Sequence, residues 1–264
     1  MTSRRQIRTL AGMTFDVAAD AYDAFMGRYS RLLSPQMLDF AEVEAGDRAL
    51  DVGCGPGILT GELVVRLGPD AVTAIDPSAS FVEAARDRHP GVTVLEGSAE
   101  DLPFSDGAFD ASLAQLVVHF MSDPVRGLAE MRRVTRDRGV VAASVWDLAG
   151  GRAPLSLFWR AAHDLDLDVV DESHLPGARA GHLVELFETA GLREVRDTAF
   201  AVNLEHQSFE EWWEPYTLGV GPAGAYVAAL DEEGRTALRE RCRALLPEGP
   251  FTLTAHAWAA SGRA

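Results

Sequence analysis

The sequence predicts an α/β fold built on a doubly wound, Rossmann-like parallel sheet, and three observations predict it. Ala49-Leu50-Asp51-Val52 is a short apolar run that breaks into Gly53-Cys54-Gly55-Pro56-Gly57 before Ile58-Leu59-Thr60-Gly61-Glu62-Leu63 takes up helical spacing. Ala71-Val72-Thr73-Ala74-Ile75 is a second apolar run, and it ends in Asp76, 23 residues beyond Gly53 (76 − 53). That is the separation a β-α-β unit needs to set a carboxylate beside a nucleotide held on the glycine loop. Strand-like and helix-like segments then alternate as far as Trp146, which implies parallel strands joined by helical crossovers.

Taken in order, residues 14–33 mix aromatics with acids and read as helix interrupted at Gly27. Ser34-Pro35 reads as an N-cap with proline in the first helical position, opening a helix to about Glu42. Gly46-Asp47 turns the chain into the first strand. The helix after the glycine loop runs to about Leu67, where Gly68-Pro69-Asp70 stops it. Residues 78–88 form the next helix, with Ser78 or Asp76 able to cap it. Residues 92–96 are a third strand with an exit loop over 97–104, and residues 109–114 a fourth. Gln115 to Phe120 leads toward Ser122-Asp123-Pro124, which caps a helix to about Arg136, and residues 139–146 are a fifth strand.

At 264 residues and 47% apolar, the chain suits one large domain with ample core. Its 24 basic and 40 acidic residues give a net charge of −16, a field that repels nucleic acid and anionic membrane surfaces. Cys54 and Cys242, with no metal-ligand spacing, fit a reducing compartment. Met1 to Arg8 is not followed by a signal-peptide core, and no run reaches the ~18 apolar residues of a membrane span. A soluble cytoplasmic protein is expected, with no membrane or nucleic-acid partner.

Gly53 and Gly55 can take positive φ and let the backbone approach a ligand, while the following helix aims free N–H groups at the same place. A nicotinamide dehydrogenase is the alternative on such a sheet, but it wants Gly-x-Gly-x-x-Gly; here the third glycine comes one residue early, after Pro56. His119, just beyond the fourth strand, is the titrating group best placed to act as a general base, and a structural or pocket-lining role competes with that one. His163, His174, His182, His206 and His256 are scattered without ligand spacing, so no metal is assigned.

Four ordered motifs resemble those of the class I S-adenosylmethionine-dependent methyltransferases, in the type 11 branch that holds ubiquinone/menaquinone-biosynthesis enzymes. Residues 50–57 look like the first motif, Ile75-Asp76-Pro77-Ser78 like the ribose acid, residues 97–104 like the adenine loop, and residues 133–139 like the turn before a strand. Two positions depart from the family pattern: Ser98 stands where an acid usually meets the adenine amine, and Arg136-Asp137-Arg138-Gly139 replaces Lys-Pro-Gly-Gly. The resemblance implies S-adenosyl-L-methionine as cofactor, held by Tyr22, Arg28, Asp51, Gly53, Cys54, Gly55, Asp76, Pro77, Ser98, Ala99, Glu100, Gln115 and Leu116. Residues 22–29 would form a lid, with the planar fork of Arg28 suited to the methionyl carboxylate.

It further implies seven strands with the last antiparallel. Residues 180–191 supply a helix with a glycine stop, residues 195–203 a sixth strand and residues 251–260 a seventh. The whole of 1–264 reads as a single domain: a helical lid over 1–45, a cofactor-binding core over 46–150 and a helical substrate cover over 204–249. That cover carries Phe209, Trp212, Trp213, Tyr216 and Tyr226. His119, Trp146, Trp212, Trp213 and Tyr216 are expected at the acceptor pocket. The expected partner is a small, largely apolar or aromatic methyl acceptor, with the chain a monomer or homodimer. A cofactor-binding protein without catalysis stays open as the second reading.

Overall fold

The computed structural model describes residues 19–166 and 169–264. Seven strands, β1 (Ala49–Val52), β2 (Val72–Asp76), β3 (Thr93–Glu96), β4 (Phe109–Gln115), β5 (Thr135–Trp146), β6 (Arg193–His206) and β7 (Phe251–Arg263), form one sheet in the order β3-β2-β1-β4-β5-β7-β6. The first five pair in parallel, and β7 runs antiparallel between β5 and β6.

Side chains alternate across a strand, so β1 sorts the two faces of the sheet. Ala49 lies with Leu113, Val140 and Ala142 under α2 (Arg28–Phe40) and α3 (Ile58–Leu67). Leu50 and Val52 lie with Ile75, Val141 and Ala143 under α5 (Pro124–Val134) and α7 (His182–Thr189). Val82 and Ala85 of α4 (Ala79–Arg88) pack on Ala74 and Val94. Helices on both faces bury the central strands, and the loops at the strands' carboxyl ends remain to build a site.

The N-terminal segment differs from the sequence expectation. The short helix α1 (Ala19–Tyr22) continues through a π-helical turn, Asp23–Gly27, straight into α2, which runs through Pro35. Ser34 is no cap: its hydroxyl donates to the Ser30 carbonyl at 2.8 Å inside the helix. Leu33, Met37 and Leu38 are 0%, 0% and 1% exposed on one stripe of α2. Burying each is worth roughly 1.5–3 kcal/mol, and together they outweigh the about 3 kcal/mol that an interior proline costs.

A third apolar cluster lies beyond the sheet. It joins α6 (Ser156–Leu165), α8 (Phe209–Trp213), α9 (Gly221–Ala229) and α10 (Glu232–Ala244), and Phe25 from the lid enters it. Phe158 stacks on Tyr216 with ring centroids 4.6 Å apart. No helix among the described residues is long and apolar enough to cross a membrane.

Pro35→Ala should restore the N–H that position 35 lacks and raise stability by about 1–2 kcal/mol, the backbone gain less the stiffness proline lends the unfolded chain. Urea unfolding that shows equal or lower stability would mean that α2 does not suffer from its proline.

Candidate active site

The loop after β1 is a left-handed turn. Gly53, Gly55 and Gly57 have φ of +70°, +54° and +91°. The N–H groups of Gly53 and Cys54 donate to the Ile75 carbonyl at 2.7 and 3.1 Å, which fastens the loop to the end of β2. A Cβ on Gly53 would come within 2.5 Å of Val117, whereas one on Gly55 would meet nothing within 4 Å. Gly53 is therefore required by packing, and Gly55 fronts open space in which a ligand can lie against the backbone.

Asp76 closes this cradle. Its Oδ2 accepts from the Gly55 N–H and its Oδ1 from the Ser78 N–H, both at 2.8 Å. Burial pushes the carboxyl above its ordinary range, and these two hydrogen bonds pull it partly back. Each oxygen keeps a further acceptor site for a ligand hydroxyl. Ser78 is the N-cap of α4, so Asp76 is not needed for that. Asp51 has a different part: its Oδ2 accepts from the Thr60 hydroxyl at 2.6 Å, tying β1 to α3, and burial pushes it up to about 7.

The lid rests on this loop through Arg88, not Arg28. Arg88 donates to the Pro56 carbonyl at 2.9 Å and pairs with Asp23 at 2.6 Å. Arg28 pairs instead with Glu211 at 2.5 Å and donates to the Glu205 carbonyl at 3.2 Å, on the β6 and α8 side. Asp23 shares its side of the helix with Gly27 and with Arg31, to which it pairs at 3.4 Å, whereas Arg28 faces β6 and α8. Tyr22 is held over the cradle with its ring edge on Phe81, centroids 5.5 Å apart, and burial pushes its hydroxyl up to about 12.

The remaining expected cofactor residues divide between fixed and open. Ser98 is exposed and its hydroxyl donates to Glu100, while Glu100 also accepts the Ser122 N–H at 2.8 Å. Ala99 and Cys54 are buried among apolar side chains, and burial raises the Cys54 thiol well above its usual range; Pro77 is exposed. Gln115 donates to Ser34 Oγ at 3.0 Å, and its Oε1 is buried without a partner among the described residues. Leu116 takes φ +62°, a left-handed turn at the end of β4 that non-glycine residues rarely adopt.

Beyond Leu116 lies a cavity enclosing about 500 Å³, its open mouth included. Tyr22, Phe25, Leu116, Trp146, Leu155 and Pro222 give it apolar walls, and His119 and Glu172 its titratable groups. His119 and Trp146 are in its lining. Trp213 does not line the cavity, and Trp212 and Tyr216 reach only a smaller cleft of about 210 Å³ beside Arg28 and His206. These rings pack with α6 because covering large apolar area is worth more to them than facing a cavity. The wall from the cover comes from Val220, Gly221, Pro222 and Ala223.

Burial acts in opposite directions on the two titratable groups, because it disfavours the charged form of each. His119, 5% exposed with Nδ1 lacking a partner among the described residues, is driven down to about 3, so it is neutral and a weak base. Glu172, 2% exposed, is pushed up to about 7. Its Oε2 accepts the Trp159 Nε1–H at 2.9 Å, and its Oε1 has no hydrogen-bond partner among the described residues. Sequence reasoning missed Glu172: in the acid-rich stretch 164–172 it looks like one more solvated charge. Arg88 was missed as the terminal charge of an ordinary amphipathic helix.

Residues 50–143 match the family model described as a methyltransferase domain. A 2-methyl-6-phytyl-1,4-hydroquinone methyltransferase of rice, Oryza sativa, is 34% identical over 151 residues, covering 56% of this chain and 40% of that one. A malonyl-[acyl-carrier protein] O-methyltransferase of Erwinia billingiae is 33% identical over 170 residues, covering 61% and 66%. The chain thus spans about half the length of the curated relatives it matches. A phosphoethanolamine N-methyltransferase of Haemonchus contortus, solved with S-adenosylhomocysteine, shares the fold at a TM-score of 0.55 and 14% identity, over 95% of this chain and 60% of its own. Residues 50–143 are thus similar to a methyltransferase domain, and the sheet shares the fold of solved methyltransferases.

Gly53→Ala should lose about 1–2 kcal/mol from left-handed strain alone and more from the contact with Val117. Adding Val117→Ala should recover the clash and leave the strain, so a double variant no more stable than Gly53→Ala in urea would contradict this account of the turn. Glu172 gives a prediction about pH. Its folded value exceeds its unfolded one, so the folded state holds the extra proton and stability falls as pH rises from about 4.5 to about 7. Glu172→Gln should flatten that part of the stability curve; an unchanged slope would show that the carboxyl is not so perturbed.

Proposed function

We propose that the chain transfers the methyl group of S-adenosylmethionine to a small, largely apolar or aromatic acceptor. The cavity carries this reading: it opens past Leu116 at the carboxyl ends of the strands, beside the glycine cradle, and its walls are almost wholly apolar. The hydroquinone acceptor in the name of the rice relative is of the same character, and the net charge of −16 disfavours polyanionic acceptors.

The residues present suit the cofactor. The open side of Gly55 admits a ligand against the backbone, Asp76 offers both carboxylate oxygens to ribose hydroxyls, and the Ser98 to Glu100 turn lies at the end of the neighbouring strand β3. When bound, the cofactor supplies an electrophilic methyl group on a sulfonium that leaves as a neutral thioether, so the leaving group needs no acid. The protein's part is orientation and exclusion of water. Tyr22 and Phe25 cover one side of the cavity and Val220 to Ala223 another, while the left-handed turn at Leu116 presents its side chain between cradle and cavity. Aromatic faces beside a sulfonium add cation–π attraction of ~0.5–2 kcal/mol per well-placed ring.

Asp76→Ala should weaken binding of S-adenosylhomocysteine about ten- to a hundredfold, because charge-assisted hydrogen bonds worth roughly 1.5–3 kcal/mol are lost. Isothermal calorimetry on both proteins checks this. Equal affinities would remove the ribose role of Asp76, and a wild-type chain that binds no S-adenosylhomocysteine would remove the methyl-transfer reading.

A further inference from the structure

Among the described residues, Glu172 is the one carboxyl group in the wall of a largely apolar cavity, and only one of its two oxygens is used by the fold. It comes from the connection between α6 and α7, outside every motif of the cofactor core. Trp159 holds one of its oxygens at 2.9 Å and leaves the other without a partner among the described residues. That oxygen belongs to a residue lining the open cavity, where a ligand's donor can reach it. We propose that Glu172 reads and deprotonates the acceptor: its Oε1 accepts a hydrogen bond from a hydroxyl of the acceptor, phenolic or enolic, and takes that proton as the methyl group is transferred to oxygen. This rests on the methyl-transfer reading above.

The step balances. The acceptor's O–H bond breaks, its proton goes to Glu172 Oε1, and its electron pair becomes the new O–CH₃ bond, while sulfur keeps the pair of the S–CH₃ bond. A carboxylate and a sulfonium are both neutralised, a change that surroundings of low polarity favour. The groups facing Glu172 leave it this part. His119 is neutral with burial holding it at about 3, and burial keeps the Tyr22 and Tyr216 hydroxyls protonated. Asp171, beside it in the chain, is turned to His163 at 2.9 Å and to Ser173. Glu172, pushed up to about 7, has the basicity suited to accepting a proton near neutral pH. A hydroxyl suits the site better than an ammonium group, since a neutral donor enters an apolar cavity at far lower desolvation cost than a cation.

The test uses the full chain loaded with S-adenosylhomocysteine, with hydroquinone and catechol as probes and 1,4-dimethoxybenzene and benzylamine as controls, titrated by calorimetry. A phenol should bind the wild type about tenfold tighter at pH 8 than at pH 6, following ionisation of a group near 7. Glu172→Gln should abolish that dependence while S-adenosylhomocysteine affinity stays within about threefold, and dimethoxybenzene should not distinguish the two proteins. Should Glu172→Gln not fold, Glu172→Asp, which withdraws the carboxyl by one methylene, should likewise lose phenol affinity and keep that for S-adenosylhomocysteine. Phenol binding that ignores both pH and the substitution overturns the proposal, as does failure of both phenols to bind a wild type that takes up S-adenosylhomocysteine, or tighter binding of benzylamine than of either phenol. A wild type that binds no S-adenosylhomocysteine instead overturns the methyl-transfer reading itself.

Discussion

The two hydrogen bonds of the Asp76 carboxylate hold the site together. One reaches the Gly55 N–H in the loop after β1, and the other the Ser78 N–H at the start of α4. A single buried side chain thereby sets the loop of one β-α unit against the helix of the next. The left-handed turn at Gly53 and Gly55 is possible because glycine lacks a Cβ, and it is kept in place because Ile75 and Asp76 take up its N–H groups. The apolar packing on both faces of the sheet brings β1 and β2 side by side so that this can happen.

The cavity follows a second constraint, burial without charge. The third apolar cluster closes over the carboxyl ends of the strands and removes water from His119 and Glu172 together. The same loss of solvent makes the imidazole a poor base and the carboxyl a better one. The basicity of a group in this cavity is thus set by the sign of its charged form, which residue type alone does not reveal.

The sheet was legible because its signals are local. Apolar runs ending in Gly53 or Asp76, and helices with Ser78 or Asp123 at their starts, mark strand and helix ends within a few residues. The misreadings came from competition that a local pattern does not contain. Ser34-Pro35 carries a good start signal, yet the buried stripe of Leu33, Met37 and Leu38 carries the helix through it. Arg28 turns to Glu211 and the Glu205 carbonyl, a pairing set by the distant β6 and α8. The aromatics of 204–249 were expected at the acceptor pocket, while their partners Phe158 and Trp159 lie some fifty residues earlier and could not be seen. Glu172 gives no sign in sequence, because only the closed cavity distinguishes it from the acids around it. The expected lid over residues 1–45 is described only from Ala19 onward, its first eighteen residues lying outside the described part.

The central claim is that one cradle, Gly53 to Gly55 with Asp76, holds the methyl donor so that its sulfur faces the cavity containing Glu172. A crystal structure of the chain with S-adenosylhomocysteine tests it directly. The account predicts ribose hydroxyls within hydrogen-bonding distance of Asp76, the backbone of Gly55 against the ligand, and the sulfur at the Leu116 side of the cavity. A ligand bound away from Asp76, or with its sulfur turned from the cavity, would contradict it.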